Sequence, residues 1–307
     1  MTGPAALFAG DVSADLTMTI PRVPEPDEKL DAASAGEDAG GVAANAAVAC
    51  AMADVPTRLV IAIGDDAAGE MVAKRLGSTG VDVSSQVRAG STCRVVILIE
   101  PHGEKRLLLH PGVSMYPTRR QIEAAPLDGV GWAHTAVYDR DAAERLVERC
   151  RAGAIPWSLD LEPSTFPGGI AQLGRCLAGA AVVFCNARAM AALGEAPVAR
   201  LFAMGVEAVV ETRGAEGATL HRPTGCTSVP APRGPVVDTT GAGDCLAGWF
   251  VAERLRAAAP EQALATAVLA ATISCAGLGG LSSYPARREV ESRRTAGAGI
   301  TLNREPS

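Results

Sequence analysis

Residues 236–252 read Val236-Val237-Asp238-Thr239-Thr240-Gly241-Ala242-Gly243-Asp244-Cys245-Leu246-Ala247-Gly248-Trp249-Phe250-Val251-Ala252. Two apolar residues lead into a turn of Asp, Thr and small residues. After Asp244 the apolar positions Leu246, Phe250, Val251 and Leu255 recur at helical steps, which predicts a helix. Gly241, Ala242 and Gly243 carry almost no side chain, so their backbone N–H groups are free to face a ligand. Amides at a helix N-terminus, reinforced by the helix dipole, suit an anion such as a phosphate. A carboxylate beside such a site works against binding alone. It makes chemical sense if Asp244 takes a proton from a hydroxyl that attacks the phosphate. The alternative is a glycine-rich loop in which Asp244 is a helix N-cap.

Upstream of this stretch the chain reads as strands alternating with helices. Residues 5–12 are a short apolar strand ending at Gly10-Asp11, with Asp15 just beyond. Acidic residues at strand C-termini lie where α/β folds bind ligands, although a turn Asp bonding its own backbone reads the same way. Gly40-Gly41 open an Ala-rich helix containing Asn45. Residues 59–64 are a second strand, followed by a helix over 68–76. Strands near 131–137, 156–161 and 180–186 follow, with Asp160 and Asn186 at or near strand ends. Asp160 reads equally well as a cap of the turn at Pro163. Residues 208–220 form a strand, a turn holding Thr212, Arg213, Gly214 and Gly217, and another strand. Helical segments between strands imply right-handed crossovers and a mostly parallel sheet covered on both faces. Two stretches break this rhythm. Residues 16–39 and 92–110 look like β-hairpin excursions, the second turning at Pro101-His102-Gly103-Glu104.

Composition bounds the function. Of the 307 residues, 48% are hydrophobic but only 4% aromatic, so the core must be built from Ala, Val, Leu and Ile. Net charge is −6, and no Lys/Arg block is long enough to indicate nucleic-acid binding. The densest basic run, Arg287-Arg288 with Arg293-Arg294, is interleaved with Glu289 and Glu291 and reads as a solvated helix face. No stretch suits a bilayer span, and Pro4, Asp11 and Asp15 argue against a secretory leader. Eight scattered cysteines without a CxxC pair are expected to be free thiols in a reducing cytoplasm. The four histidines show no metal-ligand spacing.

The string Asp-Thr-Thr-Gly-Ala-Gly-Asp resembles the C-terminal signature of the ribokinase-like (PfkB) family of carbohydrate and nucleoside kinases. Gly10-Asp11…Asp15, Gly40-Gly41…Asn45, the Gly64-Asp65-Asp66 run and the Thr212-x-Gly214-x-x-Gly217 element are similar to further motifs of that family. The resemblance extends over about residues 5–290 and implies an α/β fold with a small β-lid that closes over a sugar and pairs with a second subunit. It implies that the amides of Gly241, Ala242 and Gly243 form an anion hole and that Asp244 is the base. Asp11, Asp15, Gly40, Gly41 and Asn45 would hold the acceptor, and Asn186, Thr212, Gly214 and Gly217 would line ATP. Arg213 and Mg²⁺ would stabilise phosphoryl charge. In some relatives a monovalent cation sits nearby, which extends the expectation to K⁺ at Asp238 and Thr240, held by the loop carbonyls near them and by the 277–283 loop. Three positions depart from the family: Trp249 replaces a small residue, Val42 a lysine, and Ala189 a glutamate that helps order the metal.

The expectation is therefore one domain over residues 1–290 with lid segments near 16–39 and 92–110. The tail 291–307 is expected to carry no core, with 295–307 disordered. Its function is expected to be ATP-dependent phosphorylation of a hydroxyl on a small sugar or polyol, by a cytoplasmic homodimer contacting neither nucleic acid nor membrane. A nucleoside kinase, a phosphosugar kinase using Lys29, Arg106 or Arg140 for the second phosphate, and a non-catalytic sugar-binding protein are the alternatives.

Overall fold

The computed structural model describes residues 3–101, 104–295 and 303–305, the last three as backbone. His102 and Gly103 of the expected hairpin turn, and residues 296–302, 306 and 307 of the expected tail, lie outside the described residues. The chain begins with β1 (Ala5–Ala9), then β2 (Ser13–Thr19), β3 (Ser34–Gly40) and α1 (Val42–Met52). Next come β4 (Thr57–Gly64), α2 (Ala67–Gly77), β5 (Asp82–Arg88), β6 (Arg94–Ile99) and β7 (Lys105–His110). The middle contains α3 (Arg119–Ala124), β8 (Val130–Ala136), α4 (Arg140–Ala152), β9 (Trp157–Leu161), α5 (Gly174–Leu177) and β10 (Val182–Asn186). It continues through α6 (Ala187–Leu193), α7 (Pro197–Ala203), β11 (Val209–Thr212), β12 (Ala218–Arg222) and β13 (Gly225–Val229). The last elements are α8 (Ala242–Leu255), α9 (Pro260–Ser274), α10 (Arg287–Thr295) and β14 (Asn303–Glu305).

Ten strands form the main sheet in the order β14-β13-β12-β11-β10-β9-β8-β1-β4-β5. Its pairs from β5 to β11 are parallel, and β11 through β14 are antiparallel. Every residue of β1 is buried, as a central parallel strand covered on both faces requires. Successive side chains alternate between two cores. Ala6 and Phe8 join the core beneath α1, α2, α8 and α9, whereas Leu7 and Ala9 join the one beneath α3, α4, α6 and α7.

Small residues let α1 and α8 approach closely. A Cβ at Gly248 would lie 2.2 Å from the Ala46 carbonyl oxygen, so glycine is needed there. Trp249, next to it, is fully buried. The Arg287 guanidinium lies 5.3 Å from its ring centroid, and it also bonds Glu253 Oε1 at 2.7 Å and the Ala53 carbonyl at 2.8 Å. This corrects the reading of the basic run as a solvated face. Arg288, Arg293 and Arg294 are exposed, but Arg287 is a packed side chain whose charge is paired and whose guanidinium lies over the indole.

The two excursions meet in one small sheet, ordered β3-β2-β6-β7, with β2 and β6 parallel and the outer pairs antiparallel. At the other end of the chain, α10 runs past residue 290 to Thr295 and β14 pairs with β13. The expected boundary therefore falls inside a helix, and part of the tail joins the main sheet. Three strands escaped the sequence reading. Asp82–Arg88, Gly225–Val229 and Asn303–Glu305 are short or polar, as strands near sheet edges often are.

Candidate active site

The C-terminal ends of the parallel strands, the N-termini of α1 and α8, and the inner face of the small sheet enclose one cavity of about 1350 Å³. Ligands in open α/β sheets bind at this edge. Of the residues expected in the site, Asp11, Asp15, Gly41, Asn45, Asn186, Thr212, Gly214, Gly217, Thr240, Gly241, Ala242, Gly243 and Asp244 all line it. Gly40 and Asp238 stand just behind the wall. Gly40 makes room for Asp15, because a Cβ at Gly40 would lie 2.0 Å from Asp15 Oδ2.

Asp244 occupies the third helical position of α8, whose N-cap is Gly241, as Gly41 is that of α1. Its carboxylate accepts a bond from Asn45 Nδ2 at 2.7 Å and caps no helix. The α1–α8 packing thus brings together two residues 199 positions apart. Asn45 Oδ1 is buried and has no partner among the described residues, leaving an acceptor for a ligand hydroxyl. Asp11 accepts bonds from the Val42 and Ala43 amides at 2.8 and 3.1 Å, which fixes it to the start of α1. Gly41 (φ 106°) makes the close approach possible, since a Cβ there would meet the Asp11 carbonyl at 2.7 Å. Asp15 accepts a bond from Ser13 Oγ at 2.5 Å.

Gathering these acids away from water raises their proton affinity. Burial pushes Asp244 up to about 8 against the Asn45 bond, with the charges of Glu162, Asp11 and Asp15 adding to the rise. Burial likewise raises Asp11 to about 6, opposed by the Ala43 and Val42 amides. Asp15 rises to about 6 through burial, opposed by Ser13 and aided by Asp38. Asp160 lies well above the carboxylate range, through burial and then the nearby Asp244, Glu162 and Asp11 charges. Glu162, which the sequence reading missed, lines the cavity and accepts a bond from the Tyr138 hydroxyl at 2.5 Å. The signal was its position two residues beyond Asp160, which puts both on the same side of the strand end.

The opposite end of the cavity is built from backbone. Gly241 is left-handed (φ 71°), and its carbonyl accepts a bond from the Tyr284 hydroxyl at 2.9 Å. Ala242 N–H closes a turn on the Thr239 carbonyl at 3.3 Å, and the first bond of α8 runs from Cys245 N–H to the Gly241 carbonyl at 2.8 Å. The amides of the first turn have no earlier turn of helix to bond, as at any helix N-terminus. Asn186 caps α6 by accepting from Ala189 N–H at 2.9 Å. Ala189 itself is fully buried in the core, so the wall there is made by Ala187 and Arg188. Gly217 (φ 91°) lies against β13, where a Cβ would stand 2.0 Å from the Val229 carbonyl. Arg213 lines the cavity, and its buried Nε has no hydrogen-bond partner among the described residues.

A second residue missed in the sequence comes from the small sheet. Lys105 Nζ lies 2.8 Å from Asp238 Oδ1 and 2.7 Å from Thr240 Oγ1. Burial works to raise the Asp238 pKa, but Lys105 and Thr240 outweigh it and hold the carboxyl below its usual value. No group of three or more His, Cys, Asp or Glu is placed to hold a metal among the described residues. All eight cysteines are free, and no described helix is long and apolar enough to cross a membrane.

Comparison with known proteins agrees with the fold. The family profile described as pfkB family carbohydrate kinase matches residues 6–287. The chain is 32% identical over 264 residues to an ATP-dependent ribose-1-phosphate kinase of Halopiger xanaduensis, covering 84% of this chain and 87% of the relative. It is 25% identical to a ribokinase of Arabidopsis thaliana, covering 94% and 80% respectively. A crystal structure of a ribokinase from Cryptococcus neoformans var. grubii in complex with ADP superimposes with a TM-score of 0.79 at 25% identity, covering 95% of this chain and 99% of that one. The chain belongs to the pfkB family and is an ATP-dependent kinase of the carbohydrate class.

Proposed function

We propose that the protein transfers the γ-phosphate of ATP to a hydroxyl of a small, uncharged sugar or related polyol, with Asp244 as the base. The observation that carries this reading is the Asp244–Asn45 pair at the N-terminus of α8, facing Asp11, Asp15 and Glu162 across one cavity. Carboxylates and amides are hydroxyl-binding groups. The acceptor hydroxyl donates to Asp244, and its oxygen attacks phosphorus as the proton leaves for the carboxylate. An acid whose proton affinity lies near neutrality is suited to that exchange. The amides of Gly241 and Gly243, that of Ala242 shared with the Thr239 carbonyl, and Arg213 face the charge that grows on the phosphoryl oxygens. Magnesium enters with the nucleotide as the MgATP substrate. Asn186, Thr212, Gly214 and Gly217 line the nucleotide end.

Two observations bear on the acceptor. Lys29 is exposed, Arg106 points outward to Glu100 and Glu104, and Arg140 sits on the surface near Glu144. None of the three lines the cavity, although Lys105, Arg188, Arg213 and Arg233 do, and the acids Asp11, Asp15, Glu162 and Asp244 favour an uncharged acceptor beside them. Ribose 1-phosphate is the second reading, favoured by the name of the 32% identical relative. Tyr138 is the one aromatic side chain among the described cavity walls, which offers little stacking surface for a nucleobase.

The small sheet is proposed to be a lid and a dimer surface within a single-domain chain. Register places Val95, Ile97, Leu107 and Leu109 on the cavity side and aligns Leu16, Val96 and Leu108 in a row on the other. Leu108 is 65% exposed, an apolar row that a second copy would cover. Eight free thiols support a reducing, cytoplasmic location. ADP release measured over free sugars, ribose 1-phosphate and nucleosides tests the acceptor assignment. Turnover confined to phosphorylated sugars or nucleosides would overturn it.

A further inference from the structure

We infer that Lys105 is a built-in cation for the 238–241 loop, carried on the lid and taking the place of a bound monovalent ion. The Asp238 carboxylate has little room left for an ion. Oδ1 faces Lys105 Nζ at 2.8 Å, Thr240 N–H at 2.8 Å and the Thr240 hydroxyl at 2.7 Å, and Oδ2 accepts from Gly279 N–H at 3.0 Å. Thr240 Oγ1 is occupied as well, because it donates to Asp238 and accepts from Lys105 at 2.7 Å. A potassium ion needs oxygen lone pairs, and these already point at donors. A second positive charge placed here would also repel the ammonium at close range. The side-chain oxygens of Asp238 and Thr240 therefore do not fit the expected ion, and one bound to the loop carbonyls beside them would meet the same ammonium.

The source of the ammonium gives it a task. Lys105 opens β7 on the row that faces the cavity, followed by Leu107 and Leu109. The loop it meets leads directly into Gly241 and the first turn of α8. With the lid seated, the loop carries a buried carboxylate neutralised by lysine and held by the Cys275 carbonyl through Val237 N–H at 2.8 Å. With the lid lifted, that carboxylate loses its counter-charge. The loop that positions the phosphate-binding amides is thus completed only when the roof over the acceptor is in place. Lys105 acts as a positioning residue through Asp238 and Thr240.

The test compares the wild-type protein with Lys105→Met and Lys105→Arg, in K⁺ and in tetramethylammonium. Melting temperature in MgADP is one readout and turnover the other. The expected wild type is indifferent to the exchange of cations in both. Lys105→Met should lose about tenfold or more in kcat, as for a lost hydrogen bond to a charged group, and should gain a K⁺ response in both readouts. Lys105→Arg should keep the wild-type indifference. Wild-type protein that K⁺ activates or stabilises would overturn the inference, and this arm needs no variant to fold. A Lys105→Met protein as active as wild type, or impaired without any K⁺ response, would overturn it too. The melting readout does not depend on knowing the acceptor, so failure here is distinguishable from failure of the acceptor assignment.

Discussion

At the end of the cavity proposed to take the acceptor the walls are side chains: Asp11, Asp15, Asn45, Glu162 and Asp244. At the proposed nucleotide end they combine glycines, helix N-termini and a capping asparagine with the charged side chains of Arg188, Glu211, Arg213, Glu216 and Arg233. The first end recognises by functional groups that a single substitution can delete. On the proposed reading the second holds the phosphates chiefly through backbone shape, which substitution can only distort. Acceptor choice should therefore respond to conservative changes of side-chain chemistry, whereas nucleotide use should resist them and yield only to changes that add bulk to a glycine.

The largest expected effect tests this division at the point where the two ends meet. Asp244→Asn retains size and hydrogen bonding but removes the proton acceptor, so kcat should fall roughly 10²–10⁴-fold. Nucleotide affinity, measured by calorimetry above pH 8 where Asp244 is ionised, should hold or improve because a negative charge beside the phosphates has gone. Near-wild-type turnover in this variant would remove the base from the acceptor end. Next in size is Gly241→Ala. The residue has φ 71°, and a new Cβ would lie 2.4 Å from the Tyr284 hydroxyl. Displacing the anion-hole turn should cost kcat about 10²-fold, comparable to losing one oxyanion donor. The acceptor KM should stay close to wild type, and a change confined to that KM would show that the two ends are not separable.

A smaller effect is expected for Asp15→Asn. Loss of a charged hydrogen-bond partner for the acceptor should raise its KM about tenfold and leave the KM for ATP unchanged. A matching rise for ATP would blur the division. The smallest effect is thermodynamic. Asp11 and Asp15 are raised from 3.8 to about 6 and Asp244 from 3.8 to about 8, so the folded chain keeps protons that the unfolded chain has already released. Their contribution to stability is complete below the ordinary value of 3.8 and is lost as pH rises through 6 and 8. The melting temperature of the ligand-free protein should decline over that window, and Asp244→Asn should flatten the upper part of the decline. A melting curve that rises there would mean the acids are ionised and paired in the fold.

The same division explains what could be read from the sequence. The backbone-built end announces itself locally, because glycines, small residues and a helix start must be contiguous to form the turn at 241–244. Alternation and turn residues likewise marked both hairpins of the lid, and apolar runs marked the buried parallel strands. Residues that work through partners distant in the chain left little trace. Lys105 and Thr240 are 135 positions apart, and Tyr138 and Glu162 are 24 apart on different strand ends. Arg287 sat in a run with every mark of a solvated helix, and only the placement of Trp249 and Glu253 beneath it made it a packed residue. Periodicity reports which face of an element is covered. It does not report which two faces meet.

The contact between Ala46 and Gly248 works as a gauge for the chemistry one helical turn away from it. Asn45 precedes one of these residues and Asp244 lies one helical turn before the other, so the spacing of two helix backbones sets the reach between amide and carboxylate. That spacing contains no long side chain able to change rotamer and absorb an error. A single methyl added at Gly248 would therefore be felt at Asp244 as a displacement, although it touches neither ligand. Enlarging the range of acceptors by design should begin at the roof, with Val95, Ile97, Leu107 and Leu109, where side chains can be exchanged for smaller ones while the gauge stays untouched.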